Sequence, residues 1–115
     1  MSKTKDIDPA APPSGTGCVE CLEHGGWWFH LRRCAACGHV GCCDSSVGQH
    51  ASGHFATTGH AIVQSFEPGE GWFWNYELNA VVRGPALAPP TSHPVSQPVP
   101  GPDGMVPPDW QEQLN

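Results

Sequence analysis

The chain has little positive charge and no long apolar run. Lysine and arginine together number 5, against 11 aspartates and glutamates, giving a formal net charge of −6 over 115 residues. Between Cys18 and Arg83 the cations are Arg32, Arg33 and Arg83, set against Glu20, Glu23, Asp44, Glu67, Glu70 and Glu77. Nucleic-acid binding draws most of its affinity from Lys and Arg on phosphates, so no nucleic-acid partner is expected. No stretch approaches the roughly 20 apolar residues that a membrane helix needs, and no membrane partner is expected either. Met1-Ser2-Lys3-Thr4-Lys5 runs into Asp6 rather than into a secretory apolar segment. That predicts a cytoplasmic chain with reduced thiols, and a monomer.

Sequence able to build a core is also scarce. Residues 1–17 are polar and broken by Pro9, Pro12, Pro13, Gly15 and Gly17, and read as a disordered N-terminal tail. Residues 84–115 are rich in proline with little apolar periodicity, and read as a mostly disordered C-terminal tail in which His93 is solvated. They lack a clear P-x-x-P array with flanking basic residues. Asp109-Trp110-Gln111-Glu112 offers one short helical turn whose Trp110 can dock back on the domain. What remains, residues 18–83, is of a size at which an apolar core alone is marginal and metals or disulfides supply part of the stability.

Six cysteines and several histidines fill that gap. In a reducing compartment, paired cysteines with histidines nearby point to metal rather than disulfide. Cys18-Val-Glu-Cys21 and Cys34-Ala-Ala-Cys37 are two C-x₂-C knuckles, each able to present two sulfurs to one tetrahedral Zn²⁺. Cys42, Cys43, His50, His54 and His60 supply the other half of two four-ligand sites, with one cysteine to spare. Spacing alone leaves the pairing open, and leaves open which of Cys42 and Cys43 is the ligand. His24, His30 and His39 are read as surface or partly buried side chains.

Residues 44–57 read as a short helix, with Asp44, Ser45 or Ser46 as N-cap and Gly59 ending it. His50 and His54 then share a face at i,i+4. Residues 61–66 read as a strand, Pro68-Gly69 as a turn, and Trp72-Phe73-Trp74-Asn75-Tyr76 as a second strand with aromatics on one face. Trp27, Trp28, Trp72, Phe73 and Trp74 either form the core of a metal-stapled domain or wall a ligand groove.

The order of knuckle, tryptophan, knuckle followed by Gly-His-Val-Gly-Cys, then His50-x₃-His54 and Thr58-Gly59-His60, resembles the UBP-type zinc finger, also called the BUZ finger. The resemblance covers Cys18 to about Val82. It implies a small α+β domain stapled by two Zn²⁺ ions in interleaved, cross-brace sites, with a short helix and a small twisted antiparallel sheet. One ion falls to Cys18, Cys21, Cys42 and His50, the other to Cys34, Cys37, His54 and His60, and removal of either is expected to unfold much of the domain. A third zinc found in some members uses a Trp-Cys-Tyr motif that here reads Trp74-Asn75-Tyr76, so no third site is expected.

Members of that family that bind ubiquitin seat its free C-terminal Gly-Gly tail between aromatic walls, with an arginine clamping the carboxylate. Trp28, Trp74 and Tyr76 match wall positions, Trp72 adds to them, and a further tyrosine maps to about Val81. The clamp position holds Asp44. An anion there repels the carboxylate, so the resemblance implies a noncatalytic module whose aromatic groove takes an unknown protein or peptide. Ubiquitin-tail binding is the alternative, and a thiol redox role for Cys43 the second.

Overall fold

The computed structural model describes residues 7–110 apart from 47, 98 and 103. In chain order the elements are α1 (Val19–His24), β1 (Leu31–Cys34), β2 (Val40–Cys42), α2 (His50–Thr58), β3 (Ile62–Ser65), β4 (Phe73–Asn75) and β5 (Ala80–Val82). The strands form one antiparallel sheet in the order β2-β1-β3-β4-β5. Both expected strands are present. The turn between them places Gly69 at φ 80° after Pro68, with the Glu70 N–H bonded to the Glu67 carbonyl, the conformation that favours Gly at the third position of a type II turn. None of the described helices is long and apolar enough to cross a membrane.

Two helical expectations are corrected. The helix does not start at residues 44–46: it runs His50–Thr58, its N-cap is Gln49 with φ 49°, and no side chain caps it. Ordinary capping chemistry is outweighed here by the chain's need to turn between Cys42 and His50, whose side chains meet. Gly41 permits that approach, since a Cβ there would lie 2.7 Å from the Ala51 amide nitrogen. Helix α1, which the sequence reading lacks, is started by the first knuckle itself: Cys18 is its N-cap and its sulfur accepts the Cys21 N–H at 3.5 Å.

The register sorts the sheet into two faces. Arg32, Val63, Trp74 and Val81 are linked to one another through Ser65, Cys34 and the β3–β4–β5 pairings on one face. Arg33, Gln64, Phe73 and Val82 are in register on the other. That second face is covered by the flanking segments: Leu87 is buried with Ala35, Ile62 and Phe73, and Ile7 packs against them. Arg33, 1% exposed, donates to the carbonyls of Ala11 (2.5 Å), Ala88 (2.7 Å) and Pro90 (3.0 Å), which substitute for water around a cation that has no acidic partner among the described residues.

His93 is likewise not solvated. It is 4% exposed, its Nε2 is 2.9 Å from Glu67 Oε1, and its N–H meets the Phe66 carbonyl. Glu67 also accepts the Leu31 N–H at 2.8 Å, which ties the segment after β5 to the central strand. Gly101 pairs with Trp28 through both backbone bonds, and Trp110 docks on Trp27 and Phe29 with ring centroids 6.5 and 5.7 Å away. Gln111 and Glu112 lie outside the described residues, as do residues 1–6 of the N-terminal segment.

A zinc-loaded chain ending at Gly84 is therefore expected to be less stable than the full chain by roughly 3 kcal/mol or more. It loses two of the three carbonyls around Arg33, and hydrogen bonds to charged groups contribute about 1.5–3 kcal/mol each. Urea unfolding of the two forms measures this, and coincident midpoints would contradict the packing of the second face.

Candidate metal centres and cleft

The first group of donor atoms forms where three elements meet. Cys18 and Cys21 come from the start of α1, Cys42 from the end of β2 and His50 from the first residue of α2. Cys18, Cys21 and Cys42 are at most 2% exposed and sit in one buried cluster with Trp28, Leu31, Val40 and Phe66. His50 Nδ1 lies 3.2, 3.4 and 3.4 Å from the sulfurs of Cys18, Cys21 and Cys42, and the Cys21 and Cys42 sulfurs are 3.9 Å apart.

The second group joins Cys34 and Cys37, on the turn after β1, to His54 within α2 and His60 just before β3. Cys34 Sγ lies 3.6 Å from His60 Nδ1, and Cys37 Sγ lies 3.4 Å from His54 Nε2. The fit to zinc can be tested on these distances. Tetrahedral coordination with Zn–S near 2.3 Å and Zn–N near 2.0 Å separates two sulfurs by about 3.8 Å and a sulfur from a nitrogen by about 3.6 Å. The observed separations agree within a few tenths of an ångström. Within each group all four atoms lie within 4.8 Å of one another, and two zinc ions per chain fit the two groups.

The electrostatics agree with a cation at each site. Hydrogen bonding with Cys18 and Cys42, together with burial, pushes the Cys21 thiol far up in the absence of a metal, while the neighbouring thiols of Cys18 and Cys21 hold Cys42 down to about 2. Without a metal the group keeps protons on Cys18 and Cys21, and a divalent ion that binds the three sulfurs as thiolates displaces them. Burial, with His39 and His60 close by, holds His54 down to about 4, so its imidazole is neutral at neutral pH, as a ligand must be. His39 stacks on His54 with centroids 4.1 Å apart, and its Nε2 is 2.8 Å from Glu20 Oε2.

The structure thus resolves the choice the spacing leaves open, because Cys42 and not Cys43 lies with the first group. His24, His30 and His39 lie outside both groups, as does His93. Each group draws on elements on both sides of the other in sequence, which is the interleaved arrangement.

The aromatic residues divide differently from the expectation. Trp28 is 3% exposed in the core around the first metal group and walls no cleft, because the strand-like pairing with Gly101 fixes it inward. Trp72, Trp74 and Tyr76 do line a cleft of about 210 Å³, together with Val63, Cys43, Asp44, Ser45 and Arg32. Val81, 65% exposed, is not among the lining residues. Arg32 is the lining member that no motif marks: its guanidinium lies 4.6 Å from the Trp72 ring centroid, and the alternation of β1 places it on that face. Burial first, then the Asp44 carboxylate, pushes Tyr76 up to about 12, with Arg32 acting in the opposite sense. Phe55 of α2, not itself a lining residue, stacks on Tyr76 with ring centroids 5.3 Å apart.

Comparison with known proteins agrees with this geometry. The family model described as the zinc finger in ubiquitin hydrolases and other proteins matches residues 18–87. The solution NMR structure of a Rhodopseudomonas palustris protein is 43% identical and superimposes with a TM-score of 0.60, covering 79% of this chain and 85% of that one. No curated protein matches the chain at a significant level.

Substitution separates the two adjacent cysteines. Cys42→Ser is expected to lower the zinc content from two to one per chain and to destabilise the fold by several kcal/mol. Cys43→Ser is expected to keep both ions. Elemental analysis of the purified variants reads this directly, and zinc loss in Cys43→Ser alone would reverse the assignment.

Proposed function

This chain belongs to the family of zinc fingers found in ubiquitin hydrolases and other proteins, and we propose that it acts as a noncatalytic interaction module that takes a protein or peptide segment in its aromatic cleft. The observation that carries this reading is the cleft itself. Trp72, Trp74 and Tyr76 wall it, while two opposite charges, Asp44 and Arg32, line it without pairing with each other. Among the described residues the Arg32 side chain donates to the Leu31 carbonyl alone, which leaves most of its N–H groups for a ligand.

Catalysis by zinc is disfavoured by the donor count. Four protein ligands around each ion leave no position for water or substrate. Thiol chemistry at Cys43 is disfavoured by burial, since the residue is 5% exposed and its sulfur lies 3.7 Å from Ser46 Oγ.

The preferred segment presents a basic side chain to Asp44 and lays apolar surface on the tryptophans. Arg32 favours a second reading, in which the free C-terminal carboxylate of a Gly-Gly tail, as in ubiquitin or a ubiquitin-like protein, is met from β1 instead of from position 44. A carboxylate near both groups gains from Arg32 and loses to Asp44. With interactions of about 4 kcal/mol each at close range and an effective dielectric near 20, the two largely cancel. The ubiquitin tail stands second because position 44, where the ubiquitin binders of this family carry the clamping arginine, holds an aspartate.

Calorimetric and NMR titration with ubiquitin, with peptides ending in free or amidated Gly-Gly, and with lysine-bearing peptides separates the readings. Lysine-bearing peptides are expected to shift the Trp72 and Trp74 indole resonances, and Asp44→Ala to weaken them at least tenfold, about 1.4 kcal/mol. Micromolar binding of the free Gly-Gly form, lost on amidation and on Arg32→Ala, would establish the second reading instead. Binding that leaves both indoles unmoved would reject the cleft.

A further inference from the structure

The two metal groups differ in their donors and in their surroundings. In the first, all three sulfurs are buried and belong to the central apolar cluster. In the second, Cys34 is buried, Cys37 is exposed, and both histidines are only partly covered. A cleft of about 300 Å³ lined by Glu20, His50, Gly53, His54, Thr57 and Thr58 reaches one histidine of each group and so does not distinguish them. The exposed Cys37 sulfur does: a competing ligand can approach the second ion there, whereas the first group exposes no sulfur. Three thiolates also bind zinc more strongly than two, since each adds a charged, soft donor.

The elements held by the second group lie outside the buried cluster that surrounds the first. They are the end of β1 at Cys34 with the turn to Cys37, the second half of α2 and the segment that leads into β3. Of the four ligands only Cys34 is fully buried, and the core cluster around Trp28, Leu31 and Phe66 contains none of them. His54 is nevertheless followed directly by Phe55, whose ring stacks on the cleft residue Tyr76 with an interplanar angle of 16°. The second ion thus fixes the helix segment whose Phe55 ring backs Tyr76, a residue of the cleft wall.

We propose that the ion held by Cys34, Cys37, His54 and His60 is the exchangeable one of the two, and that its occupancy sets the shape of the cleft through Phe55 on Tyr76. The first ion is the structural one, retained while the second exchanges. The part concerning the cleft rests on the cleft being the ligand site, whereas the difference between the ions does not.

The test uses the full, zinc-loaded chain with excess 4-(2-pyridylazo)resorcinol, whose absorbance counts released zinc. Two phases of one ion per chain are expected, the first at least tenfold faster. NMR spectra taken between the phases are expected to show shifts at Cys37, His54, Phe55 and Tyr76, with Cys18, Trp28 and Cys42 unmoved. Cys37→Ser is expected to hold one zinc and to lack the fast phase, and the wild-type spectra decide the matter if that variant does not fold. One phase releasing both ions, or first shifts around Cys18 and Cys42, would overturn the proposal. A fast phase that moves Cys37 and His54 but leaves Tyr76 in place would overturn the link to the cleft. A cleft that takes no peptide in the titrations alters none of these readouts, so the two failures are distinguishable.

Discussion

Tetrahedral coordination is the constraint on which the rest of this structure depends. Eight donors must converge on two points, and because each point draws on residues from both ends of the folded sequence, satisfying it brings α1, the β1–β2 turn, α2 and the entry to β3 together. A structural zinc contributes on the order of 10 kcal/mol of folding free energy, more than the 3–5 kcal/mol an apolar core of this size typically supplies. Local preferences yield to it. Helix α2 begins at an uncapped left-handed Gln49 because Cys42 and His50 must meet, not because the chain there favours that start.

The metal-stapled half of the fold leaves one face of the sheet uncovered, and the flanking segments complete it. Buried Arg33, unusual in having no acidic partner, is solvated by carbonyls from before α1 and after β5, and Glu67 is joined to His93. The polar interior and the proline-rich segment explain each other. Proline carbonyls accept hydrogen bonds and proline lacks the N–H that would need a partner, so such a segment can lie against a buried cation at little cost. The opposite face is left with α2 on one side and the aromatic cleft on the other.

The metal centres were legible in the sequence because ligand spacing is written in short, fixed intervals. Cysteine pairs separated by two residues and histidines at i,i+4 survive any uncertainty about element boundaries. Cys42 against Cys43 was not legible from spacing, since either sulfur satisfies the same interval; the family resemblance chose Cys42 and the geometry agrees. Trp28 shows the limit of matching a residue to a role, because its ring belongs to the core. His93 and Leu87 gave no periodic signal, as their burial depends on contacts with residues far away in the chain, Glu67 for His93 and Ala35, Ile62 and Phe73 for Leu87. Arg32 was visible as a charge but not as a member of the cleft, a position that follows from the pairing of β1 with β2 and β3. Charged pairs such as Arg32-Arg33 also hide a central strand, since β1 lacks the apolar alternation by which strands are recognised.

Zinc K-edge X-ray absorption on the loaded chain tests the central claim most directly. Two ions, one with three sulfurs and one nitrogen and the other with two of each, predict an averaged first shell of mixed sulfur near 2.3 Å and nitrogen near 2.0 Å, with sulfur in the majority. A shell dominated by nitrogen and oxygen, or one of sulfur alone, would contradict this donor set.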